Sequence, residues 1–373
     1  MAAQKSNHID YIFLISVLSL LAVGLLILSS ISSVISQKEF GNSTHYLFRQ
    51  IIRGIIPGLA LGILAFKLNL SAIKRWSLLF VILGLVMMFL VLVPGLGIKA
   101  GGASRWLNIG FSSLQPSEFL KIFFFIYISA WLAKNTEPES SKKRPNWRKI
   151  FLPFIIIVGI IGLLLIIQSD LSTLIVILAT AGIIYFCAQT PLWHSLLMLF
   201  FGVAGACCLI RYVPYRYNRV LVLLDPLRDP MGLGYQIRQV LIAVGSGGIW
   251  GLGIAKSQQK FGFVPQPMGD SVFAIFAEET GFVGAVILVS LFVFVLWRGL
   301  RIAKKSQDRF SRLFATGFVS WICLQAFVAI GAMIGLIPLT GIPLPFISQG
   351  GTHIVAELIG VGILLNISKH SQK

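Results

Sequence analysis

Apolar residues dominate this chain in long blocks rather than in the short alternations of soluble elements. Ten runs of about 18–25 mostly apolar residues follow one another, the length a helix needs to cross a hydrocarbon core. Their approximate limits are 10–35, 47–66, 75–95, 116–133, 150–167, 171–188, 192–212, 271–299, 312–335 and 352–368. In lipid every backbone polar group must be satisfied within its own segment, so such runs are helices. The pattern predicts an all-α fold, a polytopic transmembrane helix bundle with about ten spans, in one domain over 1–373. The first run is long and lacks a small-residue cleavage site, so it reads as an uncleaved first span rather than a leader.

The interruptions are uneven. Residues 134–149 form a polar, flexible linker. Residues 96–115 and 213–270 are longer than a simple connection, and a long ordered loop in a compact protein usually carries function. The second lies between spans seven and eight. Its apolar periodic stretch Tyr235–Val244 predicts short interfacial or re-entrant helices. Between spans nine and ten, Gly335–Thr352 holds three prolines and four glycines in eighteen residues. That composition predicts a non-helical turn at membrane depth, which survives only when buried in protein or lining a cavity.

Composition agrees with a membrane protein: 56% of residues are hydrophobic and only 12% charged. The net charge of +18 would suggest nucleic acid, but the placement of the cations argues for topology instead. With the N-terminus in the cytoplasm, eighteen of the 31 Lys and Arg fall on inner loops and tails. These include Lys67, Lys74, Lys142, Lys143, Arg298 and Lys304, near span ends where this bias sets orientation. Both termini are then cytoplasmic, and no nucleic-acid partner is expected. The other thirteen, among them Arg105, Lys121, Arg219, Lys256 and Lys260, lie toward the outer side. They read either as a solvated loop or as a gathering point for an anionic ligand. Cys187, Cys207, Cys208 and Cys323 lack metal-ligand spacing and read as small buried hydrophobes.

The candidate chemistry centres on Phe263–Glu279, where a polar loop runs into an apolar helix. It places Asp270 at the membrane rim and Glu278 and Glu279 inside the span, where a charge costs several kcal/mol unless it faces a cavity or a partner. At 1.5 Å and 100° per residue, Glu278 lies roughly 12 Å deeper than Asp270 and about 80° round the axis. It therefore belongs to a different shell, and Glu357 lies similarly deep in the last span. Pro116 and Glu118 suit a helix start. Glu118 and Lys121, spaced i and i+3, can pair as a structural element or line a site. Asp170 reads first as an N-cap. The glycine run Gly245–Gly253 precedes Lys256 without the offsets of a phosphate-binding P-loop, so close packing is its expected use.

Together these segments resemble the SEDS family of bacterial envelope proteins, to which FtsW and RodA belong. The resemblance rests on Gly102–Trp106, Gln115–Glu118 with Lys121, Asp170, Gly234–Gln236, Ser257 with Lys260, Asp270 before Phe273 and Ala274, Glu278 and Glu279, and Gly335–Thr352. It spans essentially the whole chain, and the first span looks slightly more like the division branch. The sequence departs from the pattern at Gln349 (commonly Tyr), Ser169 (Pro) and Ala255 (Gly). It also departs at Gln266, Met268 and Gly269, where Glu, His and Thr are usual.

The resemblance implies a peptidoglycan glycosyltransferase that polymerises lipid II at the outer leaflet. It further implies a class B penicillin-binding protein as partner, alongside other division or elongation proteins and membrane lipids. Asp270 would be the base. Arg105, Glu118, Lys121, Lys256, Ser257, Lys260, Ser348 and Gln349 would bind substrate, with Asp170, Glu278, Glu279 and Glu357 secondary. A lipid pyrophosphate is already a good leaving group, so one carboxylate to take the hydroxyl proton suffices. Glycosidases, by contrast, canonically need two. A divalent Mg or Mn ion remains an alternative, with no ligand cluster evident to hold it. Two other functions stand beside polymerisation: a lipid II flippase using the intramembrane carboxylates as relays, or a non-catalytic scaffold.

Overall fold

The computed structural model describes residues 8–100, 103–110, 113–136 and 147–370. Most of the 134–149 linker, Gly102, and Lys142 and Lys143 lie outside the described residues. Among the described residues nine helices are long and apolar enough to cross a membrane, and Leu171–Cys187 is a further apolar helix of 17 residues. All ten expected runs are therefore helical.

In chain order α1 is Tyr11–Phe40, α2 His45–Gln50 and α3 Ile56–Lys67. A π-helical turn, Ile51–Ile55, joins the last two into one span. Next come α4 (Leu70–Leu90), α5 (Pro116–Asn135), α6 (Trp147–Ile167), α7 (Leu171–Cys187) and α8 (Leu192–Tyr212). The loop after α8 contains α9 (Pro214–Leu224) and α10 (Leu233–Ser246), the short helices expected there. Finally α11 (Val272–Lys305), α12 (Arg309–Met333) and α13 (Gly351–Lys369) complete the bundle. Local signals behave as expected: Pro116 opens α5, and the Asp170 carboxylate caps α7 by accepting the Thr173 N–H at 3.3 Å.

Helices α5, α12 and α13 are the most buried and α8 the least. Small residues set the closest contacts, as in membrane bundles generally. A methyl at Gly62 of α3 would lie 2.7 Å from the Leu358 carbonyl of α13. Because α8 lies at the edge, Cys207 and Cys208 are exposed on its flank, as is Cys187 at the end of α7. This corrects the expectation of four buried thiols, which holds for Cys323 alone.

Two features depart from a plain helical reading. Residues 96–115 hold a small antiparallel sheet of β1 (Gly97–Ala100), β2 (Ala103–Asn108) and β3 (Ser113–Leu114). Helix α11 is also broken at Gly281, whose φ of 69° and ψ of −169° are not helical. The chain after α10 fills the break. Phe282 and Val283 donate their N–H to the carbonyls of Gly248 and Ile249 (2.9 and 3.1 Å), while Leu252 and Gly253 donate to Glu278 and Glu279 (both 3.0 Å). Backbone freed at membrane depth is thus satisfied by another loop. The approach is so close that a Cβ at Gly247 would collide with the Ala277 carbonyl. The glycine run is used for packing.

Candidate functional site

Asp270 stands at the last loop residue but one before α11 and is half-buried. Two arginines from different loops act on it. Arg105, on β2, donates from Nε to the Gln168 carbonyl at 3.4 Å and from Nη2 to the Ser169 carbonyl, at the α6–α7 turn. Arg219, on α9, donates to the Leu339 carbonyl at 2.6 Å. Burial pushes the Asp270 carboxyl above its ordinary value, and the Arg219 and Arg105 charges oppose that rise. The net direction is upward.

The loop between α12 and α13 forms the far wall. Gly341, at φ 71°, comes so near that a methyl there would lie 3.3 Å from Asp270 Oδ2. Side chains from several helices hold this loop by its backbone. Ser172 donates to the Thr340 carbonyl at 2.6 Å, Gln325 to Pro343 at 3.0 Å and Gln50 to Ser348 at 3.3 Å. Ser348 Oγ in turn donates to the Gly269 carbonyl, and the Gln349 N–H donates to Met268, both at 2.8 Å. Ser348 is fully buried, so its visible role is to clamp the chain just before Asp270.

The remaining sequence candidates fall into two other places. Glu118 and Lys121 form the i, i+3 ion pair at 2.9 Å, both almost fully buried. Lys121 also donates to Gln325 Oε1 at 2.9 Å and stands 4.9 Å over the Trp321 ring. Since Gln325 grips Pro343, this pair braces the loop from below. Ser257 Oγ donates to Glu278 Oε2, and the backbone of Gln258 donates to the same carboxylate at 3.0 Å. Lys260 Nζ reaches Glu279 Oε1 at 3.3 Å, Ser30 Oγ at 3.1 Å and the Ala255 carbonyl at 2.7 Å. Lys256 is exposed on the glycine loop. The cations acting on Asp270 are Arg105 and Arg219, so of the four cations expected to bind substrate, Arg105, Lys121, Lys256 and Lys260, only Arg105 acts on it. Arg219 was legible only as one of the outer cations, because α9 folds back over the site from fifty residues away.

Three of the positions that depart from the SEDS pattern, Ser169, Ala255 and Gln266, hold left-handed backbone at φ 56°, 66° and 49°. Among the described residues no group of three or more His, Cys, Asp or Glu gathers as a metal centre. A single carboxylate, Asp270, under the charge of two guanidinium groups is a poor donor set for a cation held by protein alone.

A family model described as a cell cycle protein, covering FtsW, RodA and SpoVE, matches residues 11–373. Stage V sporulation protein E of Bacillus subtilis (strain 168) is 36% identical over 370 residues, 99% of each chain. The probable peptidoglycan glycosyltransferase FtsW of Geobacter sp. (strain M18) is 33% identical over 365 residues, 98% of each. A solved chain from a peptidoglycan synthase complex, described as coordinating polymerization and crosslinking, superposes with TM-score 0.76. It is 28% identical, over 96% of this chain and 97% of that one. The chain belongs to the FtsW, RodA and SpoVE family.

Proposed function

We propose that this protein is a peptidoglycan glycosyltransferase that polymerises lipid II, with Asp270 as the general base. The observation that carries this reading is a half-buried carboxylate under the charge of two arginines, with the residue before it held by the loop between α12 and α13. The attacking sugar hydroxyl gives its proton to Asp270 as its oxygen bonds to the anomeric carbon of a second lipid-linked sugar. The bond from that carbon to the pyrophosphate breaks, and the charge that leaves is stabilised by Arg105 and Arg219. A guanidinium carries five N–H donors, so Arg105 keeps capacity for an oxyanion beyond the two carbonyls it holds.

A crevice of about 360 Å³ between α10, α11 and α12 opens on the flank of the bundle. Phe273, one helical turn after Asp270, lines it together with Ala277, Phe282, Ala285 and Ile330. It suits the apolar chain of a lipid-linked sugar. The distribution of Lys and Arg supports cytoplasmic termini and a site at the outer leaflet. The likeness to a chain of a synthase complex supports a class B penicillin-binding protein as partner. The FtsW and sporulation relatives favour the division side of the family over elongation.

The test is polymerisation of lipid II by purified, reconstituted protein. Asp270→Asn is nearly isosteric and removes the base, so polymer should fall by about 10²–10⁴-fold while folding is kept. Because the Asp270 carboxyl is raised, wild-type activity should decline with falling pH above the usual carboxylate range. Arg219 lowers that pKa, so Arg219→Gln should move the acid limb to higher pH. Near-normal polymer from folded Asp270→Asn would refute the base assignment.

A further inference from the structure

Glu357 lies on α13, fully buried in the bundle, and takes no part in the reaction described above. Its Oε2 accepts the N–H of Phe346 at 2.8 Å. Phe346 holds left-handed backbone at φ 62° without being a glycine. Such a residue persists only where its surroundings over-determine it. Glu357 supplies one constraint and α1 another: a methyl at Gly24 would lie 2.5 Å from the Phe346 carbonyl oxygen.

The consequence runs along the next three residues. The N–H groups of Ile347 and Ser348 fold back onto the Leu344 carbonyl at 3.2 and 3.0 Å, and Ser348 Oγ accepts the Leu344 N–H at 2.8 Å. That tight turn aims the hydroxyl of Ser348 at the Gly269 carbonyl and the N–H of Gln349 at Met268. Asp270 is the next residue in the chain.

We infer that Glu357 is a positioning residue for Asp270: by accepting the Phe346 N–H it fixes the turn that presents Ser348 to Gly269. This rests on the reading of Asp270 as the base. It also differs from a proton-relay role for Glu357. Positioning needs only an acceptor oxygen, which glutamine keeps, whereas a relay needs a group that titrates.

The experiment uses the full chain in liposomes as wild type, E357Q, E357A, S348A and E357A/S348A. Polymerisation of lipid II and amide hydrogen exchange are both measured. A displacement of about 1 Å at a reacting group can cost about 10²-fold, so E357A should lose kcat on that scale with KM little changed. E357Q should stay near wild type. If both side chains act through one turn, the double variant should be no slower than the slower single variant. Amides of 344–350 and 266–271 should exchange faster in E357A and at the wild-type rate in E357Q. The exchange readout needs no activity, so it decides the inference even if wild type makes no polymer. If E357A fails to fold, E357Q and S348A still decide it. E357Q as slow as E357A, multiplicative losses in the double variant, or unchanged exchange at 266–271 in folded E357A would each overturn the inference.

Discussion

Replacing Lys260 by Met should destabilise the folded protein while leaving its affinity for lipid II nearly unchanged. Lys260 Nζ lies 3.3 Å from Glu279 Oε1, and both side chains are almost completely buried. At an effective dielectric of 20, two unit charges at that distance attract by about 5 kcal/mol before desolvation. The ammonium also satisfies Ser30 Oγ and the Ala255 carbonyl, so its loss strands several groups together. Breaking a buried pair by removing one partner typically costs about 3–5 kcal/mol. Glu279 keeps the Ser30 hydroxyl at 2.6 Å, which places the expectation at the lower end, about 3 kcal/mol. That is about a 10²-fold shift in the unfolding equilibrium, since 1.4 kcal/mol is tenfold. Equilibrium unfolding in mixed micelles of rising SDS content reads the shift, and lipid II titration of the folded protein reads KM. Lys260→Met with Glu279→Met should recover much of the loss, because an apolar pair of similar volume avoids the stranded charge. Wild-type stability with a strongly raised KM in Lys260→Met would make Lys260 a substrate ligand and refute this reasoning.

Ala255 holds φ 66° on an exposed loop, a conformation that costs an L-residue about 1–2 kcal/mol. Ala255→Gly should therefore raise the unfolding free energy by about 1 kcal/mol once glycine's extra chain entropy is offset; a lower unfolding free energy would contradict the strain. Orientation can be read with an impermeant thiol reagent on spheroplasts. A cysteine-free background is used, because Cys187, Cys207 and Cys208 lie on the surface of the bundle. Asp229→Cys should react and Ser140→Cys, in the linker beyond the described residues, should not. The reverse pattern would place Asp270 in the cytoplasm.

The spans were legible because lipid imposes one length and one composition on every crossing. Helix starts were legible for a local reason, since Pro116 and the Asp170 cap act within a turn of themselves. The Glu118–Lys121 pair was legible from its spacing. The sheet at 97–114 escaped because its strands are only two to six residues long and carry no sustained alternation. The break at Gly281 escaped because a single glycine inside an apolar run is common, and what permits the break is a loop from elsewhere. The roles of Lys256 and Lys260 could not be separated by sequence. A spacing of four residues says nothing of Ser30 on α1, which meets Glu279 across 249 residues.

The buried carboxylates share a geometry that bears on the choice between polymerase and transporter. Glu278 accepts from the backbone of Gln258 and from Ser257, and Glu357 from the backbone of Phe346. Glu279 and Glu118 are paired with Lys260 and Lys121, and those lysines reach on to the Ala255 carbonyl and, through Gln325, to that of Pro343. Each of these intramembrane carboxylates thus ends on the backbone of one of two loops, 248–262 or 339–350. A relay would instead need carboxylates free to change partners along a path. Here the charges replace the hydrogen bonds that water would give a loop at that depth, at a cost in desolvation recovered by rigidity near the rim. Asp270 adjoins the second of these loops, held through its neighbours' backbone and acted on by two arginines, an arrangement that favours the proposed fixed base over a moving carrier.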